Sequence, residues 1–313
     1  PQEKLLLQKR SPYNMVNLEL SETEGPPSPD QYSIAAELFR VWQAQGILKR
    51  DSVPAYYLLQ QRFESDGSLL DRHSLIGVLE LGEWGQSILP HEHTGTAAKE
   101  DRYALMRESK ANFSPLMGLF GDHGHLISSL RDWAKENPPI GKIVMAPQIE
   151  SVLWRITAPS LIDLISSSLE DQTVYMADGH HRYETALKYA RDGGAKINPE
   201  QANQFVLMSL IALDDPGLLI LPYHRIIRKL DPEMFSQIRD RIAQVFTVEP
   251  LSPDIVSANP ITQIMQTQPG MKPFIGLMLR EPNNQEDQSD SCFLSGPDPL
   301  FVERYVPSSK EAA

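Results

Sequence analysis

Asp178-Gly179-His180-His181-Arg182 is the stretch of this chain with the strongest chemical character. It follows an apolar run, Thr173 to Ala177, and opens a helical pattern that continues to about Arg191, where Asp192-Gly193-Gly194 stops it. A strand that passes through Asp-Gly directly into a helix leaves the first helical N–H groups unpaired at the strand's carboxyl end, which suits an anion. Gly179 lets a ligand approach the backbone closely, and Arg182 offers a planar donor fork matched to phosphate. His180 and His181 add donors whose charge changes near neutral pH. The competing reading is structural, with Asp178 an ordinary helix cap and the histidines on the surface. Adjacent histidines and an arginine in one turn weigh against it.

A second constellation is Pro90-His91-Glu92-His93-Thr94 followed by Lys99-Glu100-Asp101-Arg102. Moving a phosphoryl group to a hydroxyl requires an acceptor for the hydroxyl proton, cations for the developing charge and donors that hold the phosphates in line. Glu92 suits the base, with His91 and Asp178 as further catalytic candidates. Lys99, Arg102 and Thr94 suit phosphate contacts, and Asp101 suits a magnesium ion. The plain alternative for Lys99 to Arg102 is the solvated first turn of a helix. His91 and His93 also have the spacing of a His-x-His metal pair that His180 or His181 would complete, the pattern of a metal-dependent phosphatase. Leu221-Pro222-Tyr223-His224-Arg225 ends a strand-like run, and there His224 and Arg225 are as well placed for substrate as for the edge of a core. His123 and His125 read as a capping turn with exposed rings, and Ser11-Pro12-Tyr13-Asn14 reads as a turn.

Those residues need a scaffold, and the pattern supplies one of mixed type. A helical stripe of Ile34, Leu38, Val41 and Trp42 predicts a helix over 31–45 that ends at Gly46. Alternation over Ala55 to Phe63 and Ser74 to Leu81, split by the polar Ser65 to Ser68, predicts a hairpin. A charged helix over Ala97 to Asn112, a strand at Leu116 to Phe120 and a helix over His123 to Glu136 follow, the last ended by Asn137-Pro138-Pro139. Strands are expected at Lys142 to Ala146, Ser151 to Ile156, Phe205 to Ala212, Leu218 to Leu221 and Phe274 to Leu279. Further helices are expected at Pro159 to Leu169 and from Asp231 to Phe246. Ser21 to Asp30 reads as a loop and Glu281 to Ser291 as a polar tract. A soft boundary near Leu230 divides an α/β domain, 1–230, from a smaller C-terminal α/β segment, 231–313.

The Asp-Gly-His-x-Arg turn resembles that of the ParB and sulfiredoxin-like superfamily. The ordered set from Ser11-Pro12-Tyr13-Asn14 through His91-Glu92-His93-Thr94 and Lys99 to Arg102, on to Leu221 to Arg225, is similar to the bacterial family called domain of unknown function 1015. The likeness covers about residues 11–230 and departs from that family at His93, where Lys is usual. It implies a ParB/sulfiredoxin-like core enlarged by insertions. It also implies a nucleotide cofactor, since the superfamily includes partition proteins that hydrolyse CTP, sulfiredoxins that use ATP and free-serine kinases. The kinases place a Glu across from the turn, and the resemblance makes Glu92 the candidate for that position. Because the chain starts at Pro1 within what reads as a folded segment, missing N- and C-terminal portions are expected.

Composition limits the choices. The chain has 313 residues, a net charge of −12 and a single cysteine, Cys292. The charge disfavours sequence-independent nucleic-acid binding, which depends on Lys and Arg neutralising phosphates. One cysteine forms no internal disulfide and no Cys-rich zinc site. With no apolar run of roughly 18 residues, no membrane partner is expected, and the reading is a cytoplasmic protein. The expected activity is that of an ATP- or ADP-dependent small-molecule kinase, with magnesium, acting on the hydroxyl of a small metabolite; the superfamily suggests free serine. The alternatives are a nucleotide-hydrolysing switch without an acceptor and the metal-dependent phosphatase.

Overall fold

The polar stretch at Ser65 to Ser68 is where the chain folds back on itself. In the computed structural model, β1 (Tyr56–Ser65) pairs antiparallel with β2 (Ser68–Glu80), from Tyr57 opposite Ile76 to Ser65 opposite Ser68. The structure describes residues 2–19, 29–65, 67–92, 96–123, 125–146, 149–193, 202–220, 232–250, 274–279 and 290–297. The chain divides into two compact units, residues 1–219 and 220–313, and Leu230 lies outside the described residues.

The first unit begins with α1 (Gln2–Arg10), α2 (Val16–Glu19) and α3 (Pro29–Ala44). After the hairpin come β3 (Ile88–Leu89), α4 (Thr96–Ser109), β4 (Leu116–Phe120), α5 (Leu126–Glu136), β5 (Gly141–Ala146) and β6 (Ile149–Ile156). Next are α6 (Pro159–Leu169), β7 (Val174–Asp178), α7 (His180–Asp192) and β8 (Phe205–Ala212). Its eight strands form one sheet in the order β3-β7-β4-β8-β2-β1-β6-β5. The sheet is mixed: β3 runs parallel to β7 and β4 parallel to β8, while the other neighbours are antiparallel.

Register puts one continuous apolar face on this sheet. Leu58 lies opposite Leu75, Leu75 opposite Leu210, Gly118 opposite both Leu210 and Met176, and Phe120 opposite Val174. Leu126 and Leu130 of α5, Ile165 of α6, and Tyr183 and Ala186 of α7 complete the core against them. Tyr183 is fully buried, and its hydroxyl donates to Gly82 O at 2.7 Å and accepts from Gly82 N–H at 3.0 Å. That satisfies a buried phenol and fixes α7 to the end of β2.

Several expected bounds shift for local reasons. The helix expected from His123 starts at Leu126, because the Asp122 carboxylate takes the N–H groups of Leu126 (2.7 Å) and Ile127 (2.8 Å). In α3 the buried side includes Ala35, Ala36 and Trp42, and Ile34 of the expected stripe is 59% exposed. Residues 218–220 form no strand: Leu218 N–H bonds to Asp215 O in a turn, and Leu221 is outside the described residues.

The second unit contains α8 (Pro232–Ala243) and an antiparallel sheet in the order β10-β11-β9, built from β9 (Phe246–Pro250), β10 (Phe274–Leu279) and β11 (Asp290–Pro297). The helix expected to reach Phe246 ends at Ala243, because Phe246-Thr247-Val248 favours a strand and pairs with β11. β11 takes up the end of the polar tract, Asp290 and Ser291; residues 281–289 lie outside the described ones.

Candidate functional site

The chain turns out of β7 into α7 at Gly179, which adopts φ 97°, in the left-handed region that favours glycine. A Cβ there would lie 3.0 Å from Leu116 Cγ and 3.1 Å from Arg182 Nη2. Among the described residues no side chain caps the start of α7. Asp178, weighed as a cap, is 70% exposed, and its Oδ2 instead accepts a 2.6 Å bond from Arg182 Nη2. Arg182 Nη1 donates to Ser114 Oγ (2.8 Å) and Pro115 O (3.0 Å). The guanidinium read from sequence as a phosphate fork therefore ties the first turn of α7 to the residues leading into β4. Its Nε–H has no partner among the described residues.

Parallel pairing of Leu89 with Tyr175 carries the end of β3 beside the end of β7, and this brings His91 to His180. His91 Nδ1 lies 2.6 Å from Met176 O. A carbonyl only accepts, so the proton is on Nδ1 and the lone pair of the neutral ring is on Nε2. That Nε2 is 3.9 Å from Glu92 Oε1, and both side chains are more than half exposed, 56% and 52%. His180 is buried and does not offer its donors to solvent: its Nε2 accepts the His91 N–H at 3.2 Å. The rings meet edge to face, 4.6 Å apart at 83°, and Trp84 stacks on His180 at 6.0 Å. One histidine is thus a buried support, and the other presents a single basic nitrogen.

The remaining candidates are dispersed along α4 and α7. Lys99 forms an ion pair with Glu184. Asp101 accepts from Tyr32 OH at 2.8 Å and lies 3.5 Å from Arg102 Nε, and Arg102 Nη1 donates to Glu19 O at 3.2 Å. Arg102 and Arg182 nevertheless line the same small cavity, together with Ser114 and Thr185. A larger cleft of about 440 Å³ runs beside Trp84, Lys99, Glu184, Lys188 and Arg191. His181 sits in the first turn of α7, where its carbonyl accepts from Thr185 Oγ1 at 2.7 Å. His93, Thr94, His224 and Arg225 lie outside the described residues. Among the described residues no group of three or more His, Cys, Asp or Glu side chains is placed to hold a metal ion, and no helix is long and apolar enough to cross a membrane.

Burial pushes His180 below the usual histidine range, and the neighbouring His91 pushes the same way; Glu92, Asp178 and Glu184 oppose them. Burial likewise lowers His73, in β2. Below about pH 6.5 the unfolded chain protonates these rings while the folded protein resists, so the unfolded state binds more protons and stability falls as the pH is lowered. Melting temperature is therefore expected to be flat just above neutrality and to decline from about pH 6.5 toward 5. His180→Gln, which keeps an acceptor for His91 N–H, should flatten that decline, and melts across the interval test it. An unchanged slope in the variant would mean that His180 is not a titrating support.

Trp84, Met176 and Ser114 did not stand out in the sequence. Trp84 carries the clearest missed signal, a large aromatic in the Glu83-Trp84-Gly85 turn just before His91. Met176 and Ser114 act through a carbonyl and a short hydroxyl, which residue type alone does not reveal.

Comparison with curated proteins and with solved structures finds no match for this chain. A family model does match, over residues 1–291, and its description is a protein of unknown function, DUF1015. That span takes in β3, α4, β7 and α7, and with them every described residue of the His91 and His180 pair, so the chain belongs to the DUF1015 family.

Proposed function

We propose that the protein is a phosphotransferase that moves a phosphoryl group from a nucleoside di- or triphosphate to the hydroxyl of a small metabolite, on a core of the ParB and sulfiredoxin-like kind. The observation that carries this is the His91 ring, with its Nε2 lone pair turned toward Glu92 at the mouth of an uncapped helix start. The first-turn N–H groups of α7 have no intrahelical partner and favour a phosphate. Arg182 Nε–H can join them. A nucleotide fits this donor set, and its phosphates would bring magnesium, which needs only one or two protein carboxylates. Asp178, exposed on the same turn, is the carboxylate beside these donors and would have to release Arg182 to hold that ion, whereas Asp101 lies on α4 and is engaged by Tyr32 and Arg102. The cleft beside Trp84 has the size of a small-molecule site. Glu92 would take the acceptor's proton, and free serine is the first acceptor to test, by analogy with superfamily kinases.

Incubation with nucleotides, magnesium and a panel of small hydroxyl compounds, read by mass spectrometry, should give a phosphorylated acceptor. Nucleotide hydrolysis with no such product would point instead to a switch protein. Arg182→Ala is expected to weaken nucleotide binding more than Arg102→Ala. Arg182 holds the phosphate-binding turn against β4 through charge-assisted bonds worth about 1.5–3 kcal/mol each, whereas among the described residues Arg102 reaches Glu19 O and Asp101. Calorimetric affinity in the Arg182 variant equal to that of the parent would remove the phosphate site from this turn.

A further inference from the structure

We propose that His91 is itself phosphorylated during turnover, so that the group passes from nucleotide to acceptor through an Nε2-phosphohistidine. The inference rests on the phosphotransferase reading and adds a covalent step to it.

The geometry of His91 is that of a prepared nucleophile. Its tautomer is fixed by the 2.6 Å bond from Nδ1–H to Met176 O, its backbone by the bond from its N–H to His180 Nε2, and its ring plane by the edge contact with His180. Freezing these degrees of freedom in the ground state lowers the entropic cost of attack. The one nitrogen with a lone pair belongs to a side chain that is 56% exposed. A histidine serving as general base usually has a carboxylate on its other nitrogen to stabilise the imidazolium. Here that position holds a neutral carbonyl, and the carboxylate, Glu92, is near Nε2 instead. With Glu92 available to take a hydroxyl proton, the lone pair on Nε2 is left for phosphorus.

The steps balance as follows. The Nε2 lone pair forms a bond to the terminal phosphorus of a nucleoside triphosphate. The bond from that phosphorus to the bridging oxygen breaks, with its electron pair leaving on the nucleoside diphosphate. Nδ1 keeps its proton, and the ring carries a positive charge next to Met176 O and to the new phosphoryl dianion, which the α7 N-terminus favours. In the second half the acceptor oxygen bonds to phosphorus as its proton passes to Glu92. The P–Nε2 bond breaks with its pair returning to the ring, and Glu92 releases its proton to water.

The test uses the whole chain with terminally labelled nucleoside triphosphates and magnesium, without acceptor. Labelled protein should resist alkali, lose its label in acid and map to the His91 peptide. Labelled diphosphate should exchange into the triphosphate pool under the same conditions. His91→Asn, whose amide can replace the donor to Met176 O, should abolish label and exchange while melting near the parent. Glu92→Gln should keep the label and exchange but pass the group on slowly, so that phosphoprotein accumulates. This second variant keeps the test valid if His91→Asn folds poorly. Turnover to a phosphorylated acceptor with neither label nor exchange would overturn the covalent step and leave the phosphotransferase standing, as would label retained in His91→Asn. No reaction of any nucleotide would overturn both.

Discussion

Glu92→Gln is expected to lower phosphoryl transfer to the acceptor by about 10²–10⁴-fold, the usual consequence of losing a general base, with nucleotide affinity and melting temperature close to those of the parent. The amide keeps the shape of the side chain and removes its capacity to take a proton. Glu92 is 52% exposed, and its nearest basic neighbour among the described residues is the half-exposed His91, with Nε2 at 3.9 Å, so a contact of this kind contributes little to folding. Loss of turnover with retained stability would place Glu92 in the transition state and not in the scaffold. The opposite pattern, a lower melting temperature with the turnover of folded protein intact, would make it structural. Transfer to serine and other hydroxyl compounds should be measured beside a denaturation curve and a nucleotide titration of each variant, since one readout alone does not separate the two roles.

Much of the scaffold is legible because its strands and helices carry local patterns. β4, α6, β8 and β10 fall at their expected bounds, since short apolar runs flanked by turn residues leave few alternatives. The expected helix starts and stops fail where a side chain decides them, as at Asp122 in front of α5. β3 is too short for any periodicity to reveal: it has two residues, Ile88 and Leu89, and only its pairing with β7 makes it a strand. That pairing in turn creates the site. His91 and His180 look alike in sequence, each beside another basic or acidic group, and tertiary placement gives them opposite roles. His180 is buried in contact with Trp84 and His91, whereas His91 is held by a backbone carbonyl 85 residues away in the chain. Arg182 shows the same limit. Its type and spacing suit a phosphate, but the acceptors that occupy much of its guanidinium, Ser114 and Pro115, enter from the start of a different strand.

Asp215→Ala should cause a large loss of stability, about 3–5 kcal/mol, because two charge-assisted bonds worth about 1.5–3 kcal/mol each disappear from a dry site. The ladder between β2 and β8 ends at Leu75 opposite Leu210, and beyond it the β2 edge has no strand partner on that side among the described residues. Asp215, just after β8, supplies one. Its carboxylate is buried, with Oδ2 accepting from His73 N–H at 3.2 Å and Oδ1 from Gly217 N–H at 2.8 Å. Truncation would leave both amides buried without an acceptor, and burial forbids the easy entry of water to replace it. Gly217 marks how closely this turn lies on the strand: a Cβ there would fall 2.4 Å from Arg72 N, a backbone atom that cannot yield cheaply. Gly217→Ala should therefore destabilise through a clash where Asp215→Ala does so through lost bonds, and Asp215→Asn, which keeps one good acceptor, should lie between Asp215→Ala and the parent. β8 is two strands from β7, with β4 between them, so the damage should stay in the scaffold as long as the sheet persists. Turnover per folded molecule is then expected to survive in Asp215→Ala under conditions where it is lost in Glu92→Gln. A denaturation free energy within about 0.5 kcal/mol of the parent, the range of an ordinary surface substitution, would show that water or a neighbouring group replaces the carboxylate and that Asp215 is not the partner that finishes β2.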